Sequence, residues 1–286
     1  MGFNTSAIRF FLSTNHTIKV EPKTMIIGRQ SFSPSIGLLG VLRLKKLITD
    51  WRYPLFIDDF LACSGIKHQD FLDMNDYEGA NVLHDLNKPI PKKLRASYDL
   101  VVEAGTLEHV PDFLMGFENV KSMVRVGGDL MIIAPANNFL GHGCYQLSPE
   151  LFFRGLSISQ GFKIKYLLIH EEGLFGGKWF TVPDSKILGR RVDVATRRAT
   201  YICLIATRVA DVTNDLQNQS DYESLWNDEV KISRLGQVYN DCPYVLKRII
   251  YFWLLKPKYK LISRRDIKRI PTRGLLRLPA IEKLHR

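Results

Sequence analysis

The sequence predicts an α/β fold, doubly wound about a mostly parallel sheet, and three observations carry that expectation. Short β-rich runs alternate along the chain with amphipathic helical patterns, the order a parallel sheet flanked by helices requires. The run Tyr98-Asp99-Leu100-Val101-Val102-Glu103 has a near-continuous apolar centre, as in a strand buried on both faces. With 286 residues, 45% hydrophobic and 24% charged, the chain is long and apolar enough to build a large core, which excludes intrinsic disorder.

Taken in order, Thr24 to Gly28 reads as a short buried strand ending in a glycine turn, and residues 36–50 and 54–63 as helices. Gln69 to Asp73 is the second strand, Asn81 to His84 the third and Tyr98 to Glu103 the fourth. Residues 111–126 form the clearest helix. Pro111 suits its first position, Phe113, Phe117, Val120 and Val124 make one apolar face, and Gly127-Gly128 supplies a left-handed stop. Leu130 to Ala134 returns as a strand broken by Pro135. Ser148-Pro149-Glu150 opens a further helix, with serine as cap and glutamate at the positive end, and Gly161 closes it. Lys163 to Ile169 and Thr200 to Thr207 are two more strands. No internal repeat or low-complexity block interrupts this order.

Charge divides the chain. Residues 243–286 hold 13 Lys/Arg and 2 Asp/Glu, whereas residues 1–242 hold 27 of each, so the whole net charge of +11 sits in the last 44 residues. The body therefore has no global preference for nucleic acid, and the tail is an anion-seeking surface. The texture turns polar after about residue 210, then aromatic and basic with helical patterns such as Tyr244 to Leu255. We expect a body over residues 1–212 and a basic, mainly helical extension over 213–286. The extension either packs its apolar side on the body, touches a membrane surface peripherally, or meets phosphates, nucleic acid being the weakest of the three. Cys63, Cys144, Cys203 and Cys242 are far apart with no C-x-x-C pair, so neither a zinc site nor a disulfide framework is expected. No signal-peptide pattern and no run of about 20 apolar residues occurs, and the expected location is cytoplasmic. There is no P-loop, no G-x-S-x-G elbow and no H-E-x-x-H. Asp58-Asp59 reads as a solvated helix face.

The most informative block runs from Tyr98 to Phe153: YDLVVEAGTLEHV, a helix, VRVGGDLMIIAPANN, then GHGCYQLSPELFF. It resembles the second half of a class I S-adenosyl-L-methionine (SAM)-dependent methyltransferase, in which an hDhVh strand is followed by an LEH loop, a helix ending in GG and another strand. The resemblance spans roughly residues 20 to 208. It implies a Rossmann-like sheet with SAM held outside the carboxyl ends of the strands. By match to the family's motifs, Gly28 is the first-turn glycine, Asp73 the ribose-binding carboxylate and Asp85 a neighbour of the adenine. Glu103, Ala104 and Gly105 would line the methionyl side. The first turn departs from the acidic-x-Gly-x-Gly-x-Gly pattern: it reads Ile26-Ile27-Gly28-Arg29-Gln30-Ser31, with Arg29 and Gln30 where a close backbone approach is expected.

Two loops carry candidate chemistry. Glu108-His109 follows the fourth strand, and Gly141-His142-Gly143-Cys144-Tyr145-Gln146 follows the fifth. Methyl transfer needs alignment, and a base when the acceptor is a hydroxyl. His142, His109 and Glu108 are the candidate catalytic residues, His109 having a helix cap as its alternative role. Tyr145, Gln146 and Asn137 are candidate substrate contacts. The expected activity is methyl transfer to an oxygen or nitrogen of a small-molecule or glycan acceptor, the saccharide resting on a broad likeness of the GHGCYQLSPELFF segment to methyltransferase-like proteins of bacterial surface-glycan type. The alternative is a binding or scaffolding protein that keeps the fold without catalysis, which the degenerate first turn favours.

Overall fold

The computed structural model describes residues 2–48, 56–173, 177–188, 191–192, 194–212 and 268–270. Its elements, in chain order, are β1 (Phe3–Asn4), α1 (Thr5–Thr14), β2 (Lys23–Ile27), β3 (Phe32–Ser33), α2 (Ile36–Leu44), α3 (Ile57–Cys63), β4 (His68–Asp73), β5 (Val82–Leu83), β6 (Tyr98–Glu103), α4 (Phe113–Met123), β7 (Val124–Pro135), α5 (Pro149–Gly155), β8 (Phe162–Glu171), β9 (Lys178–Thr181), α6 (Ser185–Leu188), β10 (Thr200–Arg208) and β11 (Lys268–Arg269). β1 and β3 pair with each other, and the other nine strands form one sheet in the order β5-β4-β2-β6-β7-β10-β8-β9-β11. β5, β4, β2, β6 and β7 are mutually parallel. β10 is antiparallel to both β7 and β8, and β9 and β11 continue antiparallel at that edge.

Side-chain alternation explains why helices cover both faces. On β2, β6, β7 and β10, Met25, Ile27, Val101, Leu130, Ile132, Ile202 and Leu204 join Phe113, Phe117 and Val120 of α4 and Phe152 of α5 in one core. The intervening residues Ile26, Leu100, Val102, Met131, Ile133, Cys203 and Ile205 join Phe10 and Phe11 of α1, Leu38 and Leu42 of α2 and Phe60 of α3 in the other. Period-two alternation of two apolar sets is the pattern of a sheet buried on both sides. Burial of this extent contributes roughly 25 cal/mol per Å² of apolar surface, so the central strands are where stability concentrates.

Several predicted boundaries shift for identifiable reasons. The clearest helix begins at Phe113 and ends at Met123. Asp112 caps it by accepting from Met115 N–H at 3.0 Å, so Pro111 precedes the cap instead of filling the first turn. Val124, placed on the helix by its spacing, is the first residue of β7. The glycine pair does not stop the helix: it lies within β7, where the register with β6 shifts between Tyr98 and Leu100. Gly127 has φ +80, and a Cβ on Gly128 would lie 2.8 Å from the Asp99 carbonyl oxygen, so both positions exclude side chains. Ser148 precedes α5 without a side-chain capping bond, and α5 ends at Gly155, while left-handed Gly161 instead follows a 3-10 turn over Ile158–Gln160. The first predicted helix reaches only Leu44. α1 and β9 had no sequence expectation, and β11 is a strand within the extension expected to be mainly helical. Asp58 pairs with Arg29 and does not merely face solvent.

The helical patterns after residue 212 lie outside the described residues. Of the extension, Lys268–Arg269 adds to the sheet beside β9, and Ile270 is buried and donates to the Trp179 carbonyl at 2.9 Å. Among the described residues no helix is long and apolar enough to cross a membrane, and Cys63, Cys144 and Cys203 are free thiols.

Asp99, at the amino end of β6, ties the start of β2 to β7. It accepts from the Lys23 N–H and from Lys19 Nζ, both at 3.0 Å, and from Arg125 Nε at 2.6 Å. Burial pushes its carboxyl up, but these donors outweigh burial and hold it at about 2. A carboxylate whose folded pKa lies below its unfolded value of about 4 contributes stability above that pH and loses it as pH falls through the folded value. Asp99→Ala is expected to cost about 1–2 kcal/mol at neutral pH, modest because one partner is a solvated lysine. In urea titrations that difference should shrink as pH falls from about 4 towards 2.

Candidate functional site

The sheet reverses its winding between β2 and β6: from β2 the chain proceeds outward to β4 and β5, then crosses to β6 and β7 on the other side. At such a switch point the connections leave in opposite directions and a crevice opens at the carboxyl tips of the strands. Gly28 at the tip of β2 has φ +70, and its N–H donates to the Leu72 carbonyl of β4 at 2.7 Å. Asp73 at the tip of β4 turns toward it, its Oδ2 lying 3.9 Å from the position a Gly28 Cβ would take, while its Oδ1 accepts from Met74 N–H.

The two bulky residues of the degenerate turn behave differently. Arg29 swings outward, donating through Nε to Asp58 at 3.0 Å and through Nη1 to the Glu78 carbonyl at 2.8 Å, with its guanidinium over the Phe56 ring. Gln30 folds inward and is buried. Its Nε2 donates to the Ile27 carbonyl at 2.8 Å and to Thr106 Oγ1 at 3.2 Å, and the Thr106 hydroxyl itself donates to Ile27 at 2.9 Å. The Gln30 amide and the Thr106 hydroxyl therefore occupy the space beside Gly28, 3.1 and 2.7 Å from where its Cβ would stand, with Asp73 Oδ2 at 3.9 Å. Thr106 had no place in the sequence reading; its position three residues past β6 is the only signal that could have suggested it.

The loop after β6 is built on Glu103. Its Oε1 accepts from the N–H groups of Gly105, Thr106 and Leu107 at 3.0, 2.6 and 3.1 Å. The carboxylate thus turns beneath its own loop, fully buried, instead of extending into the crevice. Burial and the nearby Glu108 carboxylate raise its pKa against the opposing effect of those N–H groups. Ala104 is packed in the core, and Gly105 has φ +101. Asp85 closes a local turn, accepting from Asn87 N–H at 3.0 Å and Asn87 Nδ2 at 2.8 Å, which lowers its pKa.

A second cluster stands at the tips of β6 and β7. Leu107–His109 forms a 3-10 turn that sends Glu108 inward and His109 outward. The glycine-flanked loop brings His142 against them: His142 Nε2 lies 3.5 Å and His109 Nε2 3.9 Å from Glu108 Oε1, and the two imidazole rings meet edge to face with centroids 5.0 Å apart. Glu108 is 0% exposed, and the side chains of His109 and His142 are 47% and 33% exposed. Desolvation raises the Glu108 pKa and lowers those of both histidines. The Glu108 carbonyl accepts from the N–H groups of Cys144 at 2.7 Å and Tyr145 at 3.3 Å, which clamps one loop to the other. The three predicted catalytic residues are therefore brought together by the fold. His109 does not cap α4, since Asp112 does.

The predicted substrate contacts separate. Asn137 and Gln146 line a cavity of about 580 Å³ beside the tip of β7, together with Ser148, Glu150, Arg154 and Thr200. Tyr145 does not line it. Its hydroxyl donates to the Pro111 carbonyl at 2.6 Å and its ring packs on Phe113, so it ties the loop to the start of α4.

No protein-family model and no curated protein matches the chain. Solved structures of similar chain path include a SAM-dependent methyltransferase from Methanosarcina mazei, 12% identical over 69% of this chain and 97% of that one, with a TM-score of 0.41. They also include the 1,6-didemethyltoxoflavin-N1-methyltransferase of Burkholderia thailandensis, solved with S-adenosylhomocysteine, at 12% identity over 72% and 79%, TM-score 0.38. The branched-chain polyamine synthase of Thermus thermophilus, solved with 5'-methylthioadenosine, is 13% identical over 76% and 61%, TM-score 0.38. The assignment rests on the sheet itself. Numbered by chain order, its seven strands from the β5 edge to β8 run 3-2-1-4-5-7-6, with the seventh alone reversed. The fold is that of a class I methyltransferase. In this fold the Gly28 turn stands at the β2/β6 switch point, and the Glu108 cluster stands one strand further along.

Gly143 holds that cluster in register. It has φ +70, and a Cβ there would lie 2.8 Å from Glu108 Cγ and 2.9 Å from its carbonyl oxygen. Gly143→Ala should therefore cost about 2 kcal/mol or more through left-handed strain and overpacking. Gly141→Ala, whose Cβ meets nothing within 4 Å, should stay within about 0.5 kcal/mol of the parent. Urea midpoints of the two variants make the comparison.

Proposed function

We propose that this protein transfers the methyl group of SAM to an oxygen or nitrogen of a small acceptor, a saccharide among the candidates. The observation that supports this best is the pairing of a glycine turn with an inward-facing carboxylate, Gly28 and Asp73, at the switch point of a methyltransferase-type sheet. Asp73 would accept from the ribose hydroxyls at the Gly28 turn, whose Cβ side Thr106 and Gln30 already cover. The Asp73 carboxylate suits the ribose of the adenosyl part, and the Gln30 amide stands where the first-turn pattern calls for glycine.

SAM supplies an electrophilic sulfonium methyl, displaced in line with the departing thioether sulfur. The chain's part is positioning and proton handling. The cavity lined by Asn137 and Gln146 would hold the acceptor beside the tip of β7. The imidazoles of His109 and His142 would be the proton acceptors, with the buried Glu108 carboxylate 3.9 and 3.5 Å from their Nε2 atoms. Inverting the acceptor class, an amine in place of a hydroxyl, leaves the same requirement for a released proton.

Calorimetry with S-adenosylhomocysteine tests the reading. Saturable binding to the parent protein is expected, with Asp73→Ala weakening it at least about tenfold through loss of a charge-assisted hydrogen bond. No heat and no thermal shift at millimolar ligand, in the parent and in Gln30→Ala alike, would favour the non-catalytic binding protein that the inward Gln30 side chain suggests. Where binding holds, His142→Ala should abolish methyl transfer from labelled SAM to acceptor pools while leaving S-adenosylhomocysteine affinity within about threefold, since a residue that acts only on the acceptor contributes to turnover alone.

A further inference from the structure

The Glu108 cluster has a property that proton handling does not require. Both carboxylate oxygens of Glu108 are buried without a hydrogen-bond partner, and so is His142 Nε2. Polar atoms so placed are destabilising unless something satisfies them. The donor atoms of Glu108, His109 and His142 all lie within 4.8 Å of one another. A tetrahedral ion with bonds of about 2.0–2.1 Å holds its ligands about 3.3 Å apart. The 3.5 Å separation of Glu108 Oε1 from His142 Nε2 is already close to that, and the 3.9 Å to His109 Nε2 closes by rotation of a half-exposed side chain.

We propose that Glu108, His109 and His142 bind a divalent transition-metal ion of the zinc class, with one side of the ion left open. Two imidazoles and one carboxylate suit zinc, cobalt, iron or nickel and not magnesium or calcium, which take oxygen donors. Three protein ligands leave a position for water or substrate, as in catalytic and not structural zinc sites. The half-exposed His109 side chain is the solvent side of the cluster, since His142 Nε2 and both Glu108 oxygens are buried. The clamp of Cys144 and Tyr145 N–H on the Glu108 carbonyl, with Gly143 pressed on its side chain, fixes the carboxylate before any ion arrives. An ion at the tips of β6 and β7 would polarise an acceptor hydroxyl; that consequence rests on the function proposed above, whereas the metal site does not. The absence of a cysteine pair bears only on thiolate sites, and this ligand set draws on two loops separated by a helix and a strand.

Full-length protein stripped with a chelator and titrated with Co²⁺ tests the site, with Zn²⁺ as competitor. The expected result is visible cobalt absorption that saturates at about one ion per chain, is displaced by Zn²⁺, and is accompanied by a rise in Tm. Glu108→Gln, His109→Ala and His142→Ala should each weaken Co²⁺ at least about tenfold. The two histidine variants, being partly exposed, should unfold in metal-free solution at the parent's temperature. Asp73→Ala should leave Co²⁺ binding unchanged, which separates failure of the adenosyl site from failure of this one. No saturable cobalt absorption in the parent, or absorption that persists in the His109→Ala/His142→Ala double variant, would overturn the proposal.

Discussion

Burial of β2, β6 and β7 on both faces is the constraint from which the rest of the molecule follows. Their central residues are essentially inaccessible to solvent, so each face must be covered. The chain therefore crosses the sheet in opposite senses from β2, with α1, α2 and α3 on one side and α4 and α5 on the other. Such a crossing leaves the tips of β2 and β6 without a connection bridging them, and polar loop residues can collect there without disturbing the core. Asp73 ends β4, and Gly28, Thr106, Glu108 and His142 lie on loops that leave those tips or their neighbours.

Loops at the tips are held by buried polar contacts, which makes them rigid platforms. Glu103 gathers three successive N–H groups under the β6 loop. Thr106 and Gln30 both donate to the Ile27 carbonyl, joining that loop to the β2 turn. The Glu108 carbonyl joins it to the β7 loop. Three strand tips are thereby fixed to one another by backbone acceptors, and a one-glycine first turn is accommodated because Gln30 packs where tighter glycine turns would leave space. Glu108, clamped through its backbone carbonyl, keeps both carboxylate oxygens buried without a hydrogen-bond partner.

The far half of the sheet is stabilised differently. The reversed strand β10 lies between β7 and β8, and Asp129 on β7 accepts from Lys165 Nζ on β8 at 2.8 Å and from Thr207 on β10 at 2.7 Å. That buried network spans three strands and fixes their register, a role that pairing across a single ladder cannot supply. Beyond β8 the edge is extended by β9 and then by Lys268–Arg269, so part of the basic extension belongs to the sheet of the body.

The sequence by itself marked the buried strands of the sheet and their succession along the chain. Runs such as Tyr98–Glu103 and Thr200–Arg208 are apolar through their centres, and local composition suffices to mark a strand buried on both sides. It also singled out Glu108, His109 and His142, because a polar cluster immediately after such a strand is locally visible. What only the tertiary structure decided were facts of direction and distance. Gly127-Gly128 looks like a helix stop in one dimension, but backbone crowding against β6 makes it a bulge. Arg29 and Gln30, adjacent in sequence, part because Asp58 lies on one side of the turn and Thr106 on the other. Tyr145 meets the Pro111 carbonyl and not the cavity that Asn137 and Gln146 line, and two histidines 33 positions apart converge on one carboxylate only when β6 and β7 lie side by side. Periodicity reports which residues are buried; the partner that each buried polar atom meets depends on strands brought together from far along the chain.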